Sequence, residues 1–430
     1  MLRIAVFSVF FLHDKIILMA KKILFSRKFL PACLALALVL GIALLPGCQS
    51  QLRPPKITPV VTMAQTQAPL SPEQKETQLA IHATATPIPS PSPFPIASPT
   101  PMATQTPKVY DNVNPFTGLS LHDPIELLNR PVMVKLANWP RSLRPFNQIN
   151  QADIVFEYYN GHQTNHLLAL FYTSNASAVG PLAPGRLLDA RLARHYQADL
   201  VVASAPEVVE GVFANTLPDR VFYRGYAPCP GICTETEAQG GNTVVDTSAI
   251  RDFSIKDRPP RTTKRIESLH FSPKIETWDE DASRFSYLYA DFSVMDWRYN
   301  PETGKYHLWQ EVEDENGELS LQPSYDRDSG EPIAFENIVF MMSNYIEYNS
   351  VTYDINLREA DPNQVAIFLR DGKMTYGTWF SNNQTESFTF FSGGKPYLFK
   401  PGRSWYVFTT TLSRPESTVD GEWDLIFRLK

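Results

Sequence analysis

Residues 153–159, DIVFEYY, carry the pattern on which the fold turns: β-branched and aromatic side chains crowd a run too short for a helix, so a strand is expected. A second run of strand length, Val132-Met133-Val134-Lys135-Leu136, lies upstream behind Arg130-Pro131, and a third spans 166–172. Beyond the loop at 176–181 the spacing changes. Leu188, Leu192 and Tyr196 recur every four residues, which predicts a helix over 185–197 with one apolar face, and 200–204 predicts a return to strand. Strand, helix and strand in that order imply an α/β layer with a crossover connection. From about Pro273 strands dominate, with hairpins expected around 299–306 and around 369–374, where Asp371-Gly372 is a favoured tight-turn pair. The fold class expected is α+β: an N-terminal α/β layered domain over 111–272, then a strand-rich C-terminal domain over 273–430. Trp278, Trp297, Trp309, Trp379, Trp405 and Trp423 fall in or beside the second domain, where large aromatics fill cores more often than they stack on sugars.

Upstream of these domains the chain has another character. Residues 19–48 begin with Lys21, Lys22, Arg27 and Lys28, continue through an apolar run over 29–45 and end in Leu45-Pro46-Gly47-Cys48. A basic start, an apolar core and a small residue before cysteine read as a bacterial lipoprotein export signal, with translation expected to start at Met19 and 1–48 forming the signal segment. Lipid on Cys48 would hold the protein at the outer face of a membrane, each buried methylene contributing about 0.8 kcal/mol. An uncleaved membrane helix is the rival reading, because the apolar run approaches the roughly 20 residues needed to span. Residues 49–110 are expected to be a disordered Pro/Ser/Thr-rich tether, reaching about 190 Å as polyproline helix or about 45 Å as flexible coil. Of four cysteines, Cys33 lies in the signal and Cys48 takes the lipid, which leaves Cys229 and Cys233. A small disulfide loop through Pro230-Gly231 is the first reading of that pair; zinc would need two further ligands, and no Cys or His pair follows at finger-like spacing.

The 430 residues are 43% hydrophobic and 20% charged with a net charge of -6, enough apolar material for one or two packed domains. That acidic balance, with no long Lys/Arg run, argues against nucleic acid as partner. Gly-x-Ser-x-Gly, His-Glu-x-x-His and phosphate-loop patterns are absent, so no cofactor, metal or common hydrolase chemistry is expected. Asp153 and Glu157 share one strand face and are the candidate acid/base pair. His162 and His166 have four-residue spacing, but His166 opens a strand, where such residues stand too far apart for one metal. Arg186 sits at a helix start, where the positive dipole end makes a cation unfavourable unless an anion arrives. An ion pair with Asp153 or Glu157 is the structural alternative. Asn138, Arg186 and Ser204 are the candidate ligand-binding residues, with Arg141 or Arg144 as a second cation; Arg191 and Arg194 are expected on the solvated helix face.

Asn114-Pro115-Phe116-Thr117-Gly118, Arg130-Pro131-Val132-Met133-Val134 and Ala152-Asp153-Ile154-Val155-Phe156-Glu157 resemble the YerB-like lipoproteins, a family of unknown function with an N-terminal and a C-terminal domain. Val179-Gly180-Pro181 leading to Arg186, 297–306, Asn337-Ile338-Val339, Asp371-Gly372-Lys373 and Pro401-Gly402-Arg403-Ser404-Trp405 extend the resemblance over roughly 114 to 430. The resemblance implies an address and an architecture but no reaction. It also implies a Pro-x-Arg-Ser-x-Arg run where this chain has Pro181-Leu182-Ala183-Pro184-Gly185-Arg186, so one of two arginines is missing.

The expectation is a membrane-anchored extracytoplasmic binding or scaffolding module for a cell-envelope polymer or protein. The alternative is an envelope-acting hydrolase or transferase using Asp153 or Glu157 with Arg186 as anion clamp. Replacing Cys48 by Ser is expected to abolish incorporation of labelled palmitate in cells and to release the protein from the membrane fraction. Undiminished labelling of C48S would contradict the anchor.

Overall fold

The three N-terminal runs form strands, β1 (Val132–Ala137), β2 (Ile154–Gly161) and β3 (Thr164–Phe171), in a computed structural model that describes residues 112–237, 241–257, 266–357, 364–381 and 383–429. The expected export signal, Cys48 and the tether lie outside these residues. Helix α1 (Leu187–His195), the short strand β4 (Asp199–Val201), α2 (Glu207–Thr216), β5 (Val221–Phe222) and α3 (Thr247–Asp257) follow. The second half adds β6 (Arg284–Ala290), β7 (Ser293–Asn300), β8 (Lys305–Glu313), β9 (Asn337–Ser343), β10 (Val365–Arg370), β11 (Lys373–Phe380), β12 (Ser404–Thr410) and β13 (Glu422–Ile426). The architecture is mostly β with a mixed α/β part near its N-terminal end, richer in strand than the α+β expectation.

One large sheet runs β11-β10-β9-β12-β2-β3-β1-β4-β5, with shorter strands at its far edge, so strands from either side of the expected 272/273 boundary share it. The joint is a parallel pairing of Ile154–Glu157 with Ser404–Val407. A crossover connection exists, through α2 between the parallel neighbours β4 and β5. The expected one through α1 differs: β3 is antiparallel to β1 and β1 is parallel to β4, so α1 links strands that flank β1 in opposite directions. Helices α2 and α3 carry Gly211 and β-branched residues that blur their helical spacing, and neither is expected from the sequence.

Alternation along each strand assigns the two faces of the sheet. Met133, Ile154, Phe156, Leu168 and Leu170 pack beneath α1 and α2 against Leu188, Leu192 and Phe213. Val134, Val155, Leu167 and Ala169 face the other way, in one core with Phe285, Tyr287, Trp297 and Leu308 of a second sheet. That second sheet places β8, β7, β6 and β13 side by side. Both expected hairpins are present, β7–β8 and β10–β11, the latter turning on Asp371 and Gly372 at φ 55° and 71°. Trp297, Trp379 and Trp405 are fully buried, the first and last with ring centroids 5.0 Å apart between the sheets. Trp278 and Trp309 instead lie outside the core, capped by Lys373 and Arg298. Among the described residues no helix is long and apolar enough to cross a membrane.

Candidate functional site

Two buried polar clusters sit on opposite faces of the large sheet, centred on neighbouring residues of β2. On the inter-sheet face is Glu157, fully buried, accepting from Asn165 Nδ2 and Trp405 Nε1 at 2.7 Å each. Asn165 Oδ1 in turn accepts from Asn138 Nδ2 at 2.7 Å, and Asn138 Oδ1 accepts from Arg144 Nε and Gln310 Nε2. Burial pushes Glu157 up to about 7, against the opposing pull of these donors. Asp153 is a separate case at the start of β2. It accepts from Asn114 Nδ2 at 2.7 Å and from the Tyr172 amide at 2.6 Å, and burial raises it to about 6. The two carboxylates share a strand face as expected, yet each has its own complement of donors and they form no acid/base pair; four residues of strand separate them, about 13 Å.

On the helical face Lys135, Tyr158 and Asp189 form a closed triad. Lys135 Nζ donates to Tyr158 Oη and, at 3.3 Å, to Asp189 Oδ1, which also accepts from Tyr158. Burial lowers Lys135 to about 8, with Asp189 pulling it back up. The other Asp189 oxygen accepts the Arg186 amide at 2.7 Å, which is half of a capping box at the start of α1. The reciprocal half has no acceptor, since a guanidinium only donates.

Backbone pairing delivers Arg186 to this spot. The loop before it bonds on one side to β1, Ala137 N to Pro181 O and Ala183 N to Lys135 O, and on the other to the end of β4, Ala203 N to Ala183 O. Gly185 N donates to Ser204 O at 2.7 Å. A side chain at Gly185 would come within 2.7 Å of the Phe213 ring, so the close approach needs glycine. Strand Thr243–Val245 braces the loop from outside by pairing Val245 with Val179, and it pairs with strand Ile232–Thr234, beside the Cys229–Cys233 disulfide. Arg186 thus stands at the C-terminal ends of the parallel strands β1 and β4, over the N-terminus of α1.

The candidate residues divide between the two clusters. Asn138 and Glu157 are linked through Asn165 on the inter-sheet face; Arg186 and Ser204 meet at the Gly185 bond beyond the other face. Arg141 and Arg144 do not accompany Arg186: they bond Glu313 and Glu311 of β8, which neutralise them. Arg186 forms no ion pair with Asp153 or Glu157; its Nε donates to Asn160 Oδ1 at 2.6 Å and its Nη1 to Gly185 O at 3.0 Å. Arg191 is not merely solvated but pairs with the buried Asp354. His162 is exposed at the β2–β3 turn, whereas His166 is buried and contacts Asn160. Lys135, Tyr158 and Asp189 are not among the expected residues, although a lysine inside Val132–Leu136 and an acid three residues after Arg186 are signals present in the sequence.

The layered fold, with strands from both halves in one sheet, defines the class of protein. Residues 116–224 match the family described as Protein of unknown function (DUF3048) N-terminal domain, and 284–406 match its C-terminal domain. The chain belongs to this family. Among solved structures, the crystal structure of YerB protein from Bacillus subtilis is similar, with a TM-score of 0.55 and 18% identity over 69% of this chain and 96% of that one. At that identity the likeness is one of fold. No curated protein matches the chain.

Glu157 gives a pH signature. Its folded value near 7 exceeds the ordinary 4.5, so between these values the fold holds a proton the unfolded chain has lost, and stability falls as pH rises through the window. Glu157→Gln is expected to flatten the dependence of Tm on pH between about 4.5 and about 7, with Asp153 retaining part of it. It should also lower Tm at pH 5, because one amide oxygen replaces two acceptors. An unchanged slope in E157Q would contradict the assignment.

Proposed function

We propose that this chain is an exported lipoprotein, anchored through Cys48, whose folded part binds an anionic component of the cell envelope at Arg186. One observation carries the reading: among the described residues Arg186 has no carboxylate within ion-pair distance, yet it stands partly exposed at the positive end of α1. Arg144 and Arg191, by contrast, lie against Glu311 and Asp354. Ser204 is exposed, and its carbonyl accepts the amide of Gly185, the residue before Arg186. A tether over 49–110 would give this surface the reach to meet polymer away from the lipid.

An envelope-acting hydrolase finds less support, because Asp153 and Glu157 are enclosed on the sheet face away from Arg186 and saturated with donors. The acid nearest Arg186 is Asp189, whose oxygens serve Lys135, Tyr158 and the helix start. Binding without turnover fits that disposition better.

Arg186→Ala is expected to lower retention of the purified protein on envelope fragments by about tenfold, with Arg186→Lys intermediate, and raising salt should weaken the wild type in the same direction. Retention of R186A equal to that of wild type would overturn the reading.

A further inference from the structure

The pairing of β2 with β3 sets Asn160 apart. Tyr159 pairs with Asn165 and Gly161 with Thr164, so Asn160 is the extra residue of a bulge, with no residue of β3 opposite it. Bulges re-aim side chains. Gly161 completes this one at φ 92°, and a Cβ there would meet the Ser350 carbonyl oxygen at 2.6 Å, so a turn of the C-terminal half packs directly on the bulge. The Asn160 amide bridges two side chains. Arg186 Nε donates to Asn160 Oδ1 at 2.6 Å, and because a guanidinium only donates, the amide oxygen must face it. The amide nitrogen then faces His166 Nε2 at 2.9 Å. Burial, with Lys135 and Arg186 nearby, holds that imidazole neutral, so Nε2 accepts and the proton resides on Nδ1. His166 is itself fixed inside the sheet, in register with Tyr158 of β2 on one side and Ala137 of β1 on the other.

The same bonds determine which part of the guanidinium is left to a ligand. Nε is taken by Asn160, and Nη1 donates to Gly185 O at 3.0 Å and to Pro184 O at 3.5 Å. Nη2 makes no hydrogen bond among the described residues. A long side chain free to rotate gives up that freedom when it binds an anion; one already held at Nε and Nη1 has little left to lose. We propose that Asn160, its amide set by His166, is a positioning residue for the anion site: it holds Arg186 so that Nη2 is the donor left for the ligand and closes the Nε–Nη2 edge that would otherwise grip an oxyanion with two bonds. This rests on the anion-binding role of Arg186 and adds to it the residues that aim the guanidinium.

The full chain, purified in detergent and labelled with nitrogen-15 in its arginines, is measured for retention on purified envelope fragments as the probe. Asn160→Ala is expected to lower retention about fivefold, less than Arg186→Ala, and to move the Arg186 Nε–H resonance, while the cation and its salt dependence remain. His166→Phe should move the same resonance, and the double variant N160A/H166F should lose no more retention than N160A alone, because the histidine acts through the amide. Retention of folded N160A equal to wild type, with R186A weakened, overturns the positioning role and leaves the Arg186 reading standing. R186A equal to wild type overturns both. Additive losses in the double variant overturn the part given to His166. Should H166F fail to fold, N160A decides the positioning role by its retention and its Nε–H resonance.

Discussion

Four residues of parallel pairing, Ile154–Glu157 against Ser404–Val407, hold the two family regions of this chain in one sheet. The partners lie about 250 residues apart in sequence, so closing that contact costs loop entropy that only extensive burial on both faces can offset. The burial is there. Phe156 and Tyr406 meet edge to face on the helical side with ring centroids 5.6 Å apart, and Trp405 packs against Trp297 and Phe335 on the other. Trp405 also donates to Glu157 across the same pairing, which ties the polar network of the N-terminal half to the strand that completes the sheet.

The same strand explains why the polar residues segregate. Successive side chains of β2 point to opposite faces, so Glu157 and Tyr158, adjacent in sequence, serve different clusters. Glu157 lies between two sheets, where every donor around it is supplied by packed strands and the whole is closed to solvent. Tyr158 lies under α1, where the sheet ends and a loop must pass, and there the packing leaves Arg186 partly exposed. A buried network closed to solvent specifies a structure; a partly exposed cation at the C-terminal ends of β1 and β4 leaves room for a ligand.

Much of this fold is legible in the sequence because its strands obey a simple pattern. The runs at 132–136 and 153–159 are β-branched and aromatic, and Asp371-Gly372 dictates its turn through positive φ. What escapes is long-range. Nothing near residue 154 announces a partner at 404, so the pairing that joins the two regions is not expected. The candidate site suffers in the same way: Asn138, Glu157, Arg186 and Ser204 are each distinctive locally, but strand alternation divides them between two faces, which a list of residues does not reveal. His166 illustrates the subtler loss, since its interest arises from a tautomer fixed by Asn160 and Arg186, residues six and twenty positions away.

Unity of the sheet is the claim on which both clusters depend, and native-state hydrogen exchange tests it most directly. The amides of 154–157 and 404–407 should exchange only through global unfolding, with matching free energies, and those of β9 and β3 should follow them. Exchange of the 284–406 region through a separate opening of lower free energy, while 154–157 stay protected, would contradict a shared sheet and with it the placement of Glu157 and Arg186 on its two faces.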